Sequence, residues 1–312
     1  MSTSAPAPLV IVGSTAVGKS ALAVVLAQRM AEHQIAAEIV SADAMAVYRG
    51  MDIGTAKPGP AERGGIVHHL IDVADPSEEY TVARFQHEVG EVLADLDQRG
   101  VVPILVGGTG LYVRSIVDNL TVPGRWPEVR TELEKEPSSE ILWAKLHELD
   151  PVGAAKMLPG NRSRVLRALE VTLGSGRPFS SHGPGLDHYP PSPYRQVGVR
   201  LDRAELDRRI EARYEQQMAA GFLAEVEALS HRTLSRTARQ ALGYRELLAH
   251  LEGTMTRHEA LEQAMKRTRR FARRQERWFR RDPRIAWFDG LGSELGQQVE
   301  QWWRKSSDAV GG

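Results

Sequence analysis

One octapeptide constrains this chain more than any other feature: a glycine-rich loop that lies between a short apolar run and a helical pattern. The apolar run covers 9–12, and Leu22, Leu26 and Met30 recur after the loop at helical spacing. Glycines let backbone N–H groups turn inward, and the start of a helix adds a partial positive charge. The loop therefore predicts a phosphate-binding site, formed by Gly13, Ser14, Thr15, Ala16, Val17, Gly18, Lys19 and Ser20.

Two side chains of this loop carry the chemistry of phosphate binding. Lys19 supplies a full positive charge, and the Ser20 hydroxyl can ligate Mg²⁺. An ATPase usually adds an acid at the end of a later apolar strand, where it organises the metal and water. Here the apolar run 101–106 ends in Gly107-Gly108-Thr109, and the acid instead follows the second strand, as Asp43. This arrangement favours a substrate's diphosphate over ATP hydrolysis.

Strands and helices alternate along the first part of the chain. A second apolar run at 38–41 precedes Asp43, and the periodicity predicts a helix from Thr81. From about 120 a mostly helical pattern is interrupted by proline and glycine, and 196–199 has the pattern of a returning strand. We therefore predict an α/β fold: a P-loop NTPase-like parallel sheet core, built from 1–119 and 196–312, with a mostly helical insertion domain at 120–195.

Composition excludes several classes of protein. The chain has 312 residues and no cysteine, which excludes a disulfide framework and a cysteine-based zinc site. No apolar stretch approaches the ~18 residues that a membrane-spanning helix needs. We expect a cytoplasmic monomer with no membrane partner.

The formal net charge is zero, but the charge is unevenly distributed along the chain. Between Lys266 and Arg284 there are ten basic side chains and two acidic ones, a net charge of +8. They fall in what the pattern predicts to be the last helix, opening at Thr256 and Glu259, with an apolar face of Leu261, Met265, Phe271 and Trp278. A solvated helix face normally mixes both signs. Arginine on the other faces favours phosphate contacts and stacking on unpaired bases, which indicates RNA binding.

Further motifs identify a family by resemblance. They are Ser41-Ala42-Asp43-Ala44, the segment 50–58, His68-His69-Leu70-Ile71-Asp72, the segment 106–112, the segment 164–171, Gly243-Tyr244-Arg245-Glu246, and the segment 268–278. In this order, and over most of the chain, they closely resemble the motifs of bacterial tRNA dimethylallyltransferases, also called tRNA isopentenyltransferases. There is one mild departure, since the family usually has Ser where this chain has Ala44.

The resemblance implies an activity: transfer of a dimethylallyl group from dimethylallyl diphosphate to the exocyclic N6 of adenosine 37, beside the tRNA anticodon. It implies that the glycine-rich loop binds the donor diphosphate with Mg²⁺, and that Asp43 is the general base. Thr109 is expected to contact the substrate near the reaction centre, and Arg130 and Arg213 to lie near the tRNA and the diphosphate. Without the resemblance, Asp43 is more typical of a helix N-cap and Thr109 of a turn.

The tRNA anticodon stem-loop is the partner that the resemblance implies. The residues expected to contact it are Asp43, Ala44, Met45, Ala46, Arg164, Arg167, Arg245, Arg270, Arg273 and Arg274. The pair His68-His69 suggests a metal site, but no third ligand has suitable spacing, and we expect the pair to be structural.

Three alternatives remain open at this point. An adenylate isopentenyltransferase has the same phosphate loop and base but a free nucleotide as acceptor. A P-loop kinase uses ATP as donor. An RNA-binding protein with a vestigial loop is the third, although intact Lys19, Ser20 and Asp43 argue against decay.

Overall fold

The computed structural model describes residues 6–308, and these form two units. The first unit contains the described residues up to Val117 and those from Pro191 onward, and the second unit is Asp118–Pro190. The sequence patterns placed the insertion at 120–195.

A single parallel sheet forms the centre of the first unit. Its six strands lie in the order β3-β2-β4-β1-β5-β6, and every neighbouring pair is parallel. The strands are β1 (Leu9–Gly13), β2 (Ala37–Ser41), β3 (His68–His69), β4 (Val102–Gly107), β5 (Arg195–Arg200) and β6 (Ile285–Asp289). β1 is fully buried because it has a strand on both sides and helices on both faces. The loops after β1, β2 and β4 therefore meet at one edge of the sheet, where parallel α/β sheets bind their ligands.

Nine helices accompany the sheet within the described residues of this unit. They are α1 (Lys19–Glu32), α2 (Val82–Gln98), α3 (Gly110–Val117), α8 (Arg203–Ala219), α9 (Phe222–Ser230), α10 (Arg236–Arg239), α11 (Tyr244–Leu251), α12 (Arg257–Phe279) and α13 (Leu295–Asp308). Thr81 caps α2 as predicted, since its side chain accepts a hydrogen bond from the Arg84 amide. The predicted capping box at Thr256 and Glu259 is also present and starts α12.

The second unit is helical. Its helices are α4 (Pro127–Glu134), α5 (Ser139–Leu149), α6 (Pro151–Ala155) and α7 (Arg162–Ser175), followed by a 3₁₀ turn at Phe179–Ser181. It has its own apolar core, which includes Leu142, Leu146 and Leu169. Trp126 covers Gly174 of α7, where a Cβ atom would lie 2.2 Å from the indole ring.

The structure corrects the predicted orientation of α12, and α12 is not the last helix. The predicted apolar face of Leu261, Met265, Phe271 and Trp278 is only partly buried. The buried face is instead a line of mostly small residues: Ala260, Ala264, Thr268, Ala272, Gln275 and Phe279. Small side chains let α12 pack closely against α8, α11 and β1, and close packing of this kind is invisible to a search for large apolar residues.

Candidate active site

The loops after β1 and β2 and the end of β4 line a cleft of about 460 Å³. Its walls come from the glycine-rich loop, from Asp43 and Ala46 after β2, from the turn at Thr55–Pro58, and from one face of α8. The structure thus brings the predicted phosphate loop and the predicted base together in one cavity.

The glycine-rich loop needs glycine at its two ends. At Gly13 a Cβ atom would lie 2.5 Å from the Val199 carbonyl oxygen of the neighbouring strand. Gly18 has φ +96° and is the N-cap of α1, a left-handed conformation that side chains rarely adopt. The chain then enters α1 at Lys19, and the first N–H groups of this helix have no carbonyl partner within it. They are available to an anion in the cleft.

Lys19 is partly buried in the cleft, and its ammonium group donates a hydrogen bond to the Ser14 carbonyl oxygen over 2.7 Å. Burial lowers the pKa of Lys19 to about 8; the carboxylate of Asp43 raises it, and the charge of Arg213 lowers it. The three side chains therefore interact electrostatically. A diphosphate in the cleft would further favour the charged form of Lys19.

Arg213 lies on α8 and donates a hydrogen bond from Nη1 to the Thr15 hydroxyl over 3.0 Å. Burial lowers the pKa of Arg213 as well. Arg209 and Gln216, on the same face of α8, also line the cleft. The cleft therefore concentrates positive charge next to the phosphate loop.

Asp43 is held in place by the turn that follows it. Its Oδ1 atom accepts hydrogen bonds from the backbone N–H groups of Met45 (2.8 Å) and Ala46 (3.3 Å). Thr109 accepts a hydrogen bond from the Ala44 amide over 3.2 Å, which ties the loop after β4 to the loop after β2. This contact uses the backbone of residue 44, so alanine there leaves it intact.

The loop Gly107-Gly108-Thr109-Gly110 has no room for additional side-chain atoms. Added Cβ atoms would lie 2.2 Å from the Ala42 carbonyl oxygen at Gly107, 2.2 Å from Gln275 Nε2 at Gly108, and 2.1 Å from Trp278 Nε1 at Gly110. Gln275 and Trp278 belong to α12. The loop that carries Thr109 is thus packed directly against this helix.

A second polar network shapes the wall at 50–58. Glu225 on α9 accepts hydrogen bonds from the amides of Asp52, Ile53 and Gly54 at 2.9, 2.8 and 3.1 Å, and from the Tyr244 hydroxyl at 2.6 Å. Burial and the nearby Glu225 carboxylate raise the pKa of Tyr244.

Lys57, whose side chain is only 4% exposed, pairs with Asp52 and Asp72 at 2.5 Å each. It lines the same cleft.

The two adjacent histidines have structural contacts. His68 Nδ1 bonds to the Ile66 carbonyl oxygen at 2.9 Å, and His69 Nε2 bonds to Glu38 at 2.6 Å. The hydrogen bond from Arg99 is the main reason that the pKa of Glu38 falls to about 2. Within residues 6–308, no group of three or more acidic or histidine side chains is arranged to hold a metal ion.

Arg130, Arg164 and Arg167 lie in the helical unit. Arg167 pairs with Glu170 at 2.8 Å and donates to the Pro123 carbonyl oxygen at 2.8 Å. Arg130 pairs with Glu134 at 2.7 Å, and its Nη1 lies 4.0 Å from Glu170. Arg164 is exposed. Their roles toward the substrates stay predictions.

The arginines of the basic segment differ in their partners and in their exposure. Acidic partners hold four of its side chains within the described residues: Arg267, Arg269, Arg280 and Arg284. Arg270 and Arg274 are exposed and Arg273 is partly exposed. Arg245, on α11, is also exposed and bonds to Gln240. The four predicted RNA contacts on α11 and α12 are therefore accessible to a partner.

Comparison with known proteins identifies the family. The sequence model of the IPP transferase family matches residues 46–282. The chain belongs to this family. It is 51% identical over 287 residues to the tRNA dimethylallyltransferase of Kineococcus radiotolerans, covering 90% of each chain. It is 48% identical over 304 residues to that of Streptomyces avermitilis, covering 95% of each.

Two solved structures of IPP transferases have the same fold. The tRNA isopentenylpyrophosphate transferase of Bacillus halodurans superposes with a TM-score of 0.71 at 35% identity, covering 97% of each chain. A eukaryotic dimethylallyltransferase acting on tRNA superposes with a TM-score of 0.78 at 25% identity, covering 97% of this chain and 79% of that one. The predicted P-loop α/β fold is confirmed.

The residues of this IPP transferase fit a magnesium ion bound mainly through a diphosphate. Mg²⁺ usually keeps several waters and takes one or two protein ligands together with substrate phosphates. Ser20 is exposed at the first turn of α1 in the cleft, where its hydroxyl can be one such ligand. Asp43 supplies a carboxylate in the same cavity.

Three residues at or next to the cleft were not predicted to have a role. Lys57 and Arg209 line the cleft, and Gln275 is hydrogen-bonded to the phosphate loop. Spacing gives a signal for Arg209, because it lies one helical turn before Arg213. Gln275 has its partner Thr15 260 residues away in the sequence. Lys57 pairs with Asp52 and Asp72, 5 and 15 residues away, in irregular segments where no helix or strand period signals the contacts.

No helix within the described residues is long and apolar enough to cross a membrane.

The pKa of Lys19 leads to a prediction for phosphate binding. Because the free amine loses its proton near pH 8, the affinity for inorganic diphosphate should fall between pH 7 and pH 9, and binding at pH 9 should take up a proton. Calorimetry in buffers of different ionisation enthalpy measures both effects. In the Lys19→Arg control the charge persists, and the ratio of wild-type to control affinity should decline with pH. A constant ratio would contradict the lowered pKa.

Proposed function

We propose that this chain transfers a dimethylallyl group from dimethylallyl diphosphate to the exocyclic N6 of adenosine 37 in tRNA, next to the anticodon. The observation that carries the proposal is the cleft in which the phosphate loop and the carboxylate of Asp43 face one cavity. The family adds the reaction, since its relatives are named tRNA dimethylallyltransferases.

Asp43 is the general base in this proposal. The N6 amine of adenine is a weak nucleophile because its lone pair is delocalised into the ring, and a carboxylate that takes its proton assists attack. The turn amides of Met45 and Ala46 bond to Oδ1. Oδ2 is then the oxygen that accepts the proton. An N6–C1 bond forms, the C1–O bond of the donor breaks, and inorganic diphosphate leaves.

The leaving diphosphate gains negative charge as the C1–O bond breaks, and preorganised positive groups stabilise that charge. Lys19, the first amides of α1 and Arg213 surround the place where the diphosphate is expected. Mg²⁺, held by Ser20 and the diphosphate itself, would neutralise further charge when bound. Thr109 holds the Ala44 amide and thereby orients the Asp43 turn.

The acceptor is a tRNA in this proposal, whereas the adenylate isopentenyltransferase alternative takes a free nucleotide. The cleft serves either acceptor. A tRNA acceptor is favoured by α11 and α12, which expose Arg245, Arg270 and Arg274 outside the cleft. We propose that these arginines, with Arg273, Arg164, Arg167 and Arg130, contact the anticodon stem-loop. Cytoplasmic location and a monomeric state stay predictions.

The function itself has a direct test. Pure protein incubated with Mg²⁺, dimethylallyl diphosphate and unmodified tRNA should yield N6-dimethylallyladenosine in the digested tRNA, detected by mass spectrometry. AMP and ATP should remain unmodified as acceptors, and ATP should not be hydrolysed. Prenylation of AMP as fast as of tRNA would favour the adenylate enzyme, and RNA-stimulated phosphate release from ATP would favour a kinase or ATPase.

The variant Asp43→Asn distinguishes the role of Asp43 as a base from its role in holding the turn. The amide oxygen of Asn can still accept the Met45 and Ala46 hydrogen bonds but cannot take a proton. Single-turnover transfer should slow by about 10²- to 10⁴-fold, as should Asp43→Ala, because a positioned base contributes that much. Affinities for tRNA and for inorganic diphosphate should survive in Asp43→Asn. Near-normal turnover of this variant would leave Asp43 with a turn-capping role alone.

Replacing Arg270, Arg273 and Arg274 together with Ala tests the RNA surface. Each lost phosphate contact should reduce the slope of log affinity against log salt by about 0.7 for single-stranded RNA and weaken tRNA binding. Diphosphate binding should be unchanged. A matched triple variant, Arg208, Arg232 and Arg239 to Ala, removes the same charge from exposed arginines that have acidic partners. Equal loss of tRNA affinity in both variants would point to net charge rather than to this surface.

A further inference from the structure

One buried side chain of α12 is hydrogen-bonded to two of the loops at the active site. Gln275 is 6% exposed, and its amide group accepts one hydrogen bond and donates another. Its Oε1 accepts from the Thr15 amide of the phosphate loop at 2.9 Å, and its Nε2 donates to the Gly108 carbonyl oxygen at 2.8 Å. Only a side chain with both an acceptor and a donor at its end can make this pair of bonds.

We propose that Gln275 is a positioning residue that sets the distance between the donor diphosphate and the general base. This inference rests on the proposed function. One bond fixes Thr15, whose hydroxyl also accepts from Arg213. The other fixes Gly108, next to Thr109, which holds the Ala44 amide beside Asp43. One amide group thus joins the phosphate loop to the loop after β4, and Thr109 connects that loop to the one that carries the base.

The bond to Thr15 also decides which amides can bind phosphate. A backbone N–H directed to Gln275 Oε1 is not available to the donor. The diphosphate would therefore bind the later amides of the loop and the first turn of α1. Release of the Thr15 amide would change the position of the diphosphate relative to Asp43. A displacement of about 1 Å can slow a reaction between two bound groups by about 100-fold.

Two variants of Gln275 test the proposal. Gln275→Met keeps the length of the side chain but has neither the acceptor nor the donor, and single-turnover transfer should slow about 10- to 100-fold. The rate is expressed per site competent to bind inorganic diphosphate, so that unfolded protein does not count. Affinity for tRNA should stay within about twofold, because the exposed face of α12 is unaltered. Gln263→Met, an exposed position on the same helix, is the matched control and should behave like wild type.

Gln275→Glu adds a readout that a merely structural role would not alter. A carboxylate can accept from Thr15 but repels the Gly108 carbonyl oxygen, whereas a protonated carboxyl group can make both bonds. The ratio of variant to wild-type rate should therefore rise as the pH is lowered, and taking the ratio cancels any pH dependence that the two proteins share.

A wild-type rate per site in Gln275→Met would overturn the inference. If that variant does not fold, Gln275→Glu decides: a rising ratio supports the inference and a ratio independent of pH overturns it. Wild-type protein that forms no prenylated tRNA would instead refute the proposed function.

Discussion

The close approach of the loops after β2 and β4 is the constraint on which the rest of the active site depends. It exists because Gly107 has no side chain, and any Cβ atom there would lie 2.2 Å from the Ala42 carbonyl oxygen. At this separation Thr109 can reach the Ala44 amide. Asp43 is then held by its own turn and lines the same cleft as the phosphate loop. A parallel sheet supplies the common edge, but glycine at this position lets two of its loops touch.

Electrostatics follows from that geometry. The cleft collects Lys19 and Arg213 around one carboxylate, and burial lowers the pKa of both cations. The unliganded protein holds this charge at a cost that an incoming diphosphate offsets. At the wall of the same cleft, the buried Lys57 is paired with Asp52 and Asp72. Lys19 and Arg213 are therefore the cations suited to bind a ligand, whereas Lys57 stabilises the wall of the cleft.

The sequence was sufficient to predict a parallel sheet core, because a phosphate loop that lies between an apolar strand and a helix is compatible with few other folds. Motifs of the family also singled out Asp43 and Thr109, whose roles toward the substrates stay predictions. The sequence did not predict the two-residue strand β3, the strand β6, or the buried face of α12, in which three of the six residues are alanine. Gln275 escaped for a related reason. Its partner Thr15 is 260 residues away in the sequence, so no local pattern reports their contact.

The helix α12 has 23 residues and runs without interruption past the active site. Arg274 on its exposed side and Gln275 on its buried side are adjacent in sequence, a rise of about 1.5 Å along the axis. The helix consequently fixes the distance between the exposed arginine and the active-site loops. An RNA phosphate bound at Arg274 would have a fixed height relative to Gly108 and Thr109. The acceptor would then be selected by distance: only a base that unstacks at the right distance from the phosphate bound at Arg274 would enter the cleft.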